Sequence, residues 1–216
     1  GNNVAVAGSH GKTTTTSMIS AIFDQGGLDP TVINGGIIQS YGSNARPGSG
    51  DWMVVEADES DGTFVKLPST IAIVTNIDKE HLEFYEKFKF LTDAFYNFIT
   101  NIPFYGLAIC CTYHLEVQKL VRKVRDRRII TYGFNKQADF RISNLKSAEN
   151  GSTFDVYISS ENKTLKDIFL PMPGEYNALN ALASITLSIY LKIDLKNIRH
   201  ALSNFKGVRR RFSFVK

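Results

Sequence analysis

The chain has 216 residues, 43% of them hydrophobic, and a formal net charge of +4, enough to build one sizeable core as a single domain or one domain with a small annex. The charge is mild, and its basic residues gather in "KLVRKVRDRR" (119–128) and "RRR" (209–211) without the strong footprint and reading module of a nucleic-acid binder, so no nucleic-acid partner is expected. No apolar run is long enough to span a bilayer and no charged-then-apolar leader is present, which reads as a cytoplasmic protein with no membrane insertion.

Strand and helix patterns alternate along the chain. "NVAVAG" (3–8) reads as a strand, followed by a helix over 12–24 with Met18, Ile19, Ile22 and Phe23 on one side. "DWMVVEAD" (51–58) and "STIAIVTNID" (69–78) are short Val/Ile-rich runs ending in polar residues, as buried parallel strands do. A long amphipathic helix follows, with Phe84, Phe88, Leu91, Phe95, Ile99 and Ile102 at intervals of three and four, a stripe that belongs to a core. "YGLAICC" (105–111) and "RIITYGF" (128–134) are two more strands, joined by a basic helix carrying Val117, Leu120, Val121 and Val124. The adjacent Cys110 and Cys111 would point to opposite faces, which predicts buried reduced thiols rather than a bridge or a zinc site. Strand–helix–strand alternation means a parallel sheet covered on both faces. The expected fold class is α/β: a mostly parallel sheet with flanking helices, P-loop NTPase-like on account of Gly11-Lys12-Thr13 between the first strand and helix.

Beyond residue 138 the texture changes. Residues 139–171 alternate over short segments, with Asn150-Gly151 as a hairpin signal, which predicts a small antiparallel β-sheet annex. "PMPGEYNALNALASITLSIYL" (171–191) reads as a turn feeding a helix with Ala178, Ala181, Leu182, Ile185 and Ile189 on its packed side. A last helix has Asp194 as N-cap and Gly207 after its end. Residues 207–216 read as the start of a linker, so 1–206 is expected to be one domain of something longer.

Chemistry enters through "VAVAGSHGKTTTT" (4–16). A glycine loop between a buried strand and a helix turns backbone N–H groups inward over the helix N-terminus and makes an anion nest. Lys12 would reach the β- and γ-phosphates, and Thr13 would offer its hydroxyl to Mg²⁺. The usual loop has a glycine where Val6 stands; here the glycine is Gly8, so the loop is shorter than standard. "VVEADESD" places Glu56, Asp58, Glu59 and Asp61 at the carboxyl end of a strand, where a Mg²⁺ ligand belongs. The next strand end supplies Asn76, Asp78, Glu80 and His81.

Taken together, "GSHGKTTTT", "EADESDGTF", "TNIDKEHLEFY", "NIPFYGLAIC" and "PGEYNALNA" resemble the central ATP-binding domain of the Mur ligases, over essentially the whole chain. "DESDGTF" and "NIPFYG" are most similar to the member that joins L-alanine to UDP-N-acetylmuramate in peptidoglycan precursor synthesis. The resemblance implies ATP and Mg²⁺ as cofactors, UDP-N-acetylmuramate and L-alanine as partners of the full-length enzyme, and amide-bond formation through an acyl phosphate. It implies that Gly8, Ser9, His10, Gly11, Lys12, Thr13 and Thr14 cradle the ATP phosphates, with Lys12, Glu56 and His81 as the catalytic set. Thr13 and Glu56 would hold one Mg²⁺ and His81 a second. Asn177 and Asn180 match asparagines near the adenine, and Arg211 matches a linker arginine that reaches the phosphates. Asn34 and Tyr85 would lie near the muramoyl substrate.

Two departures stand out. The family usually has His where this chain has Tyr176, and after "AICC" an acidic pair and a proline where this chain has "TYHLE"; the second is read as surface drift without chemistry. A sibling ligase, such as one attaching recycled peptide or polyglutamate, would share the loop but not "DESDGTF". A P-loop motor would instead use the basic segments on nucleic acid, and a bare nucleotide-binding scaffold would lack turnover.

Overall fold

The structure, a computed structural model, describes residues 2–34, 45–58, 69–79 and 85–207. Its strands are β1 (Asn2–Ala7), β2 (Thr31–Ile33), β3 (Ala45–Arg46), β4 (Trp52–Glu56), β5 (Ile71–Val74), β6 (Leu107–Cys111), β7 (Arg128–Gly133), β8 (Phe140–Ala148), β9 (Gly151–Ile158) and β10 (Lys163–Leu170). The helices are α1 (Lys12–Gln25), α2 (Tyr85–Thr100), α3 (Leu115–Lys123), α4 (Glu175–Tyr190) and α5 (Leu195–Ser203). The strands form one sheet in the order β10-β9-β8-β7-β6-β5-β1-β4-β2-β3.

Side-chain alternation divides the core between the two faces of the sheet. Val4 and Val6, Ile71 and Ile73, and Leu107, Ile109 and Cys111 pack with Met18 of α1, Leu182 of α4 and Leu202 of α5. Their neighbours Ala5, Ala7, Ala72, Val74, Ala108 and Cys110 pack with Phe95 of α2 and Leu120 of α3. Both cysteines are free and buried, one on each face, as their adjacency predicts. Small residues on the α2 side and larger β-branched ones on the α1 side let the bulky Phe95, Phe98 and Ile99 stripe come close to the sheet.

The expected parallel sheet is there: β4, β1, β5, β6, β7 and β8 pair in parallel, and β2 with β4. The antiparallel portion is also there, but it is no separate sheet. β8 pairs in parallel with β7 through Tyr132 and Gly133, and β9 and β10 then continue the same sheet as a meander. The hairpin sits one residue earlier than Asn150-Gly151 suggests, because Ala148 pairs with Gly151 and leaves Glu149 and Asn150 as the turn. The two-stranded edge of β2 and β3 has too few residues to raise a periodic signal. α5 begins as expected, with the Asp194 carboxylate accepting from the Lys196 N–H. Among the described residues no helix is long and apolar enough to cross a membrane.

Candidate functional site

β1 is flanked by β4 and β5, and the chain leaves β1 and β5 toward opposite faces, into α1 and α2. That divergence opens a crevice at the carboxyl edge of β1, where open α/β sheets bind ligands. The loop at residues 8–11 fills its floor. Gly8 has φ +152°, and a Cβ there would lie 1.9 Å from the Thr75 hydroxyl oxygen; Gly11 has φ +82°, and a Cβ would lie 2.5 Å from Asn180 Oδ1. Both positions require glycine, for the backbone and for the close neighbour. α1 starts directly after Gly11, with the Thr15 N–H donating to the Gly11 carbonyl. The amides of its first turn therefore have no intrahelical acceptor and point out of the helix end.

The segment after β5 braces this loop. The Asn76 carboxamide clasps His10, its Oδ1 accepting the His10 N–H and its Nδ2 donating to the His10 carbonyl, both at 2.8 Å. The Thr75 hydroxyl donates to the same carbonyl at 2.8 Å. Ser9 N–H donates to the Asn76 carbonyl at 3.2 Å, and Asp78 N–H to the Ser9 hydroxyl at 2.9 Å. His10 Nε2 meets Asp78 Oδ2 at 3.0 Å. The amides of Ser9 and His10 are thus taken up within the protein, and the donors facing the crevice are those at the head of α1. Asn76 and Asp78, which the sequence marks only as polar residues after a strand, hold the loop in shape.

Thr13, in the first turn of α1, donates from its hydroxyl to both oxygens of Glu56, each at 3.0 Å. Glu56 ends β4 and is buried. Residues 43 positions apart in sequence are thereby brought to one point beside Lys12. Two hard oxygen donors converging next to a helix N-terminus fit a Mg²⁺ ion that keeps waters and phosphate oxygens as its other ligands. Among the described residues no group of three or more His, Cys, Asp or Glu is placed to hold a metal ion.

A cavity of about 380 Å³ adjoins the loop, lined by His10, Asn76, Ile77, Asp78, His114 and Tyr176. His114 is half-buried, and its pKa is lowered by that burial and by His10, against the opposing pull of Asp78. Tyr113 stands edge-on to Phe134 and to His114, with centroids 5.1 and 5.4 Å away. Its hydroxyl donates to Glu175 Oε1 at 3.4 Å, and the Glu175 charge raises its pKa. The "TYHLE" segment is therefore part of the crevice wall, which corrects its reading as surface drift. A larger hollow of about 770 Å³ lies between α2 and α3 but shares no residue with the loop. Its Glu116 is paired with Lys79 and Lys119.

The remaining expected residues divide. Asn180 Oδ1 accepts from the Thr15 hydroxyl at 3.2 Å and lies against Gly11, so it supports the loop from below. Asn177, one turn earlier on α4, donates to the Pro173 carbonyl at 3.0 Å. Thr14 is half-buried in the first turn of α1. Asn34 follows β2, and its Oδ1 is buried with no hydrogen-bond partner among the described residues. Tyr85 opens α2. Glu59, Asp61, Glu80, His81 and Arg211 lie outside the described residues, as does the side chain of Tyr85.

The Mur ligase middle-domain family matches residues 6–188. The chain belongs to the Mur ligase family. A UDP-N-acetylmuramate–L-alanine ligase from Jannaschia sp. strain CCS1 is 57% identical over 214 residues, 99% of this chain and 45% of that protein. Its counterpart from Rhodopseudomonas palustris strain TIE-1 is 58% identical, over 97% of this chain and 46% of that protein. This Mur ligase chain thus spans under half the length of the curated relatives it matches. Among solved structures, the UDP-N-acetylmuramate–alanine ligase MurC from Thermotoga maritima superposes with a TM-score of 0.78 at 30% identity, covering 100% of this chain and 47% of that one. A murein peptide ligase from Psychrobacter arcticus gives 0.79 at 24% identity, over 97% of this chain and 48% of that one. Near-equal scores mean that the backbone does not separate Mur ligase siblings.

Proposed function

We propose that this chain is the ATP-binding central domain, residues 1–206, of a ligase that joins L-alanine to UDP-N-acetylmuramate. Residues 207–216 would begin the linker to a further domain. The observation that carries the nucleotide reading is the Thr13–Glu56 pair at the head of α1, beside Lys12. The substrate reading is supported by 57–58% identity to relatives of that name over nearly the whole chain.

In this reading the α1 amides and Lys12 bind and orient the ATP phosphates, and the braced loop keeps those donors fixed so that no reorganisation is needed during reaction. Thr13 and Glu56 would hold Mg²⁺, with His81 toward a second ion. The chemistry Mg²⁺ supplies there is neutralisation of charge on the terminal phosphates. The muramoyl carboxylate attacks the γ-phosphorus, ADP leaves, and the amine of L-alanine then displaces phosphate from the acyl phosphate. Asn34, whose buried oxygen has no hydrogen-bond partner among the described residues, and Tyr85 are assigned to the muramoyl side, Asn177 and Asn180 to the adenine side, and Arg211 to the phosphates. Amino-acid selection belongs to a portion of the enzyme outside these residues, so this chain alone should bind nucleotide with little turnover.

Calorimetric titration of ADP and a non-hydrolysable ATP analogue, with and without Mg²⁺, tests the assignment. Binding should depend on Mg²⁺, vanish in Lys12→Ala and weaken at least about tenfold in Glu56→Ala, the loss of one charge-assisted contact. Equal affinity with and without the metal in the wild type would refute the Thr13–Glu56 role.

A further inference from the structure

The hollow of about 770 Å³ between α2 and α3 is lined along the length of both helices. Phe88, Thr92 and Tyr96 follow one another at intervals of four on α2, and Glu116, Leu120 and Lys123 at four and three on α3. Residues so spaced share one helix face. The hollow is therefore a groove with a helix as each wall, about 12 Å or two helical turns long. Its floor is apolar: Leu120 is buried, and Phe88 packs against the core cluster of that side of the sheet.

Cations surround that floor, Lys89 from α2 and Lys119, Arg122 and Lys123 from α3. Lys119 is paired with Glu116, but Lys89, Arg122 and Lys123 are exposed and form no ion pair with any described residue. The dipole of α3 favours cations in its last turn, which accounts for Arg122 and Lys123. It does not account for Lys89, which stands near the positive end of α2, nor for the convergence of all three on one groove. Gathered there they repel one another, and carboxylates laid between them remove that cost. We propose that the groove is a docking surface for an acidic amphipathic helix of a partner protein. Its apolar side chains rest on Phe88, Tyr96 and Leu120, and its carboxylates face Lys89, Arg122 and Lys123. This is the helix-in-groove mode, read through anchors at i, i+3 or i+4 and i+7. A nucleic acid or an anionic bilayer suits the groove less well. A phosphate backbone would meet Asp93 and Glu116 in the lining, and Leu120 and Phe88 lie at the floor of a concavity, away from a flat lipid surface. The groove shares no residue with the phosphate loop, so the proposal is independent of nucleotide binding.

Fluorescence anisotropy tests this with a labelled synthetic helix of about 15 residues, carrying leucines at i, i+3, i+4 and i+7 and glutamates beside them. The controls are the same residues permuted so that no apolar face forms, oligoglutamate, a single-stranded oligonucleotide and phosphatidylglycerol vesicles. The wild-type chain should bind the amphipathic peptide at least about tenfold more tightly than either peptide control. Lys89→Glu alone, and Arg122→Glu combined with Lys123→Glu, should each weaken that binding about tenfold or more. A peptide with lysines in place of the glutamates should regain affinity for the charge-reversed chains, a rescue that a loss of folding does not produce. No binding to the wild type at about 1 mM peptide, equal binding of the permuted peptide, or an affinity unmoved by the reversals would each overturn the docking surface. Preference for the oligonucleotide or the vesicles over the amphipathic peptide, abolished by the same reversals, would reassign the groove to that class and overturn the proposal as well.

Discussion

Gly11 shows how much one residue carries. Its φ of +82° is costly for any side chain, and the Asn180 carboxamide occupies the space a Cβ would need. Gly11→Ala should therefore destabilise the domain by about 1–3 kcal/mol and misplace the head of α1. The two causes are separable by thermal denaturation. In an Asn180→Ala background, which itself loses the Thr15 hydrogen bond, the steric part disappears and only the backbone part remains. A cost for Gly11→Ala that is the same in both backgrounds would show that contact with Asn180 is not limiting. The two loop glycines were legible in the sequence because a tight turn between a strand and a helix dictates residue types locally. The roles of Asn76, Asp78 and Asn180 were not, because each acts by touching a loop 65 or more positions away.

Among the elements, the β8–β9–β10 meander depends on one buried carboxylate. The register shifts in β8 between Ser143 and Lys146, and in β10 between Leu165 and Ile168. Asn144 and Asp167, at those shifts, adopt φ of +52° and +57°. Asp155, on the middle strand, grips both: Oδ2 accepts from Asn144 Nδ2 and Oδ1 from the Asp167 N–H, each at 2.9 Å. These two hydrogen bonds hold its pKa below the ordinary carboxylate value. A depressed folded-state pKa means that stability is present above the unfolded value near 3.8 and is lost as pH falls toward the folded value. Asp155→Ala should cost about 1–3 kcal/mol at pH 7, measured by denaturant unfolding, and the gap to wild type should narrow below pH 4. A pH-independent gap would assign the effect to packing instead. The sequence showed three alternating strands here but not the paired bulges, since alternation reports which face is buried and not where pairing slips.

For the molecule as a whole, the centre of the sheet should resist local opening. Cys110 and Cys111 lie in β6, between β5 and β7, with helices over both faces. Burial pushes both thiols up to about 12, so neither is a thiolate at neutral pH. An aromatic disulfide reagent should label neither cysteine in the native chain and both in guanidinium, with native labelling no faster than global unfolding. Rapid native labelling of either thiol would mean that β6 opens on its own.

The sequence by itself determined the α/β class, the order of the longer strands and helices, and the two-faced core. Each of these follows from periodicity or from backbone geometry within a dozen neighbouring residues. Only the tertiary structure decided that Thr13 meets Glu56, that residues 75–78 clasp the loop, and that the antiparallel strands extend the main sheet. Those are contacts between segments far apart in the chain, and their partners are chosen by strand order and by the face each helix takes. A linear pattern encodes neither of these directly.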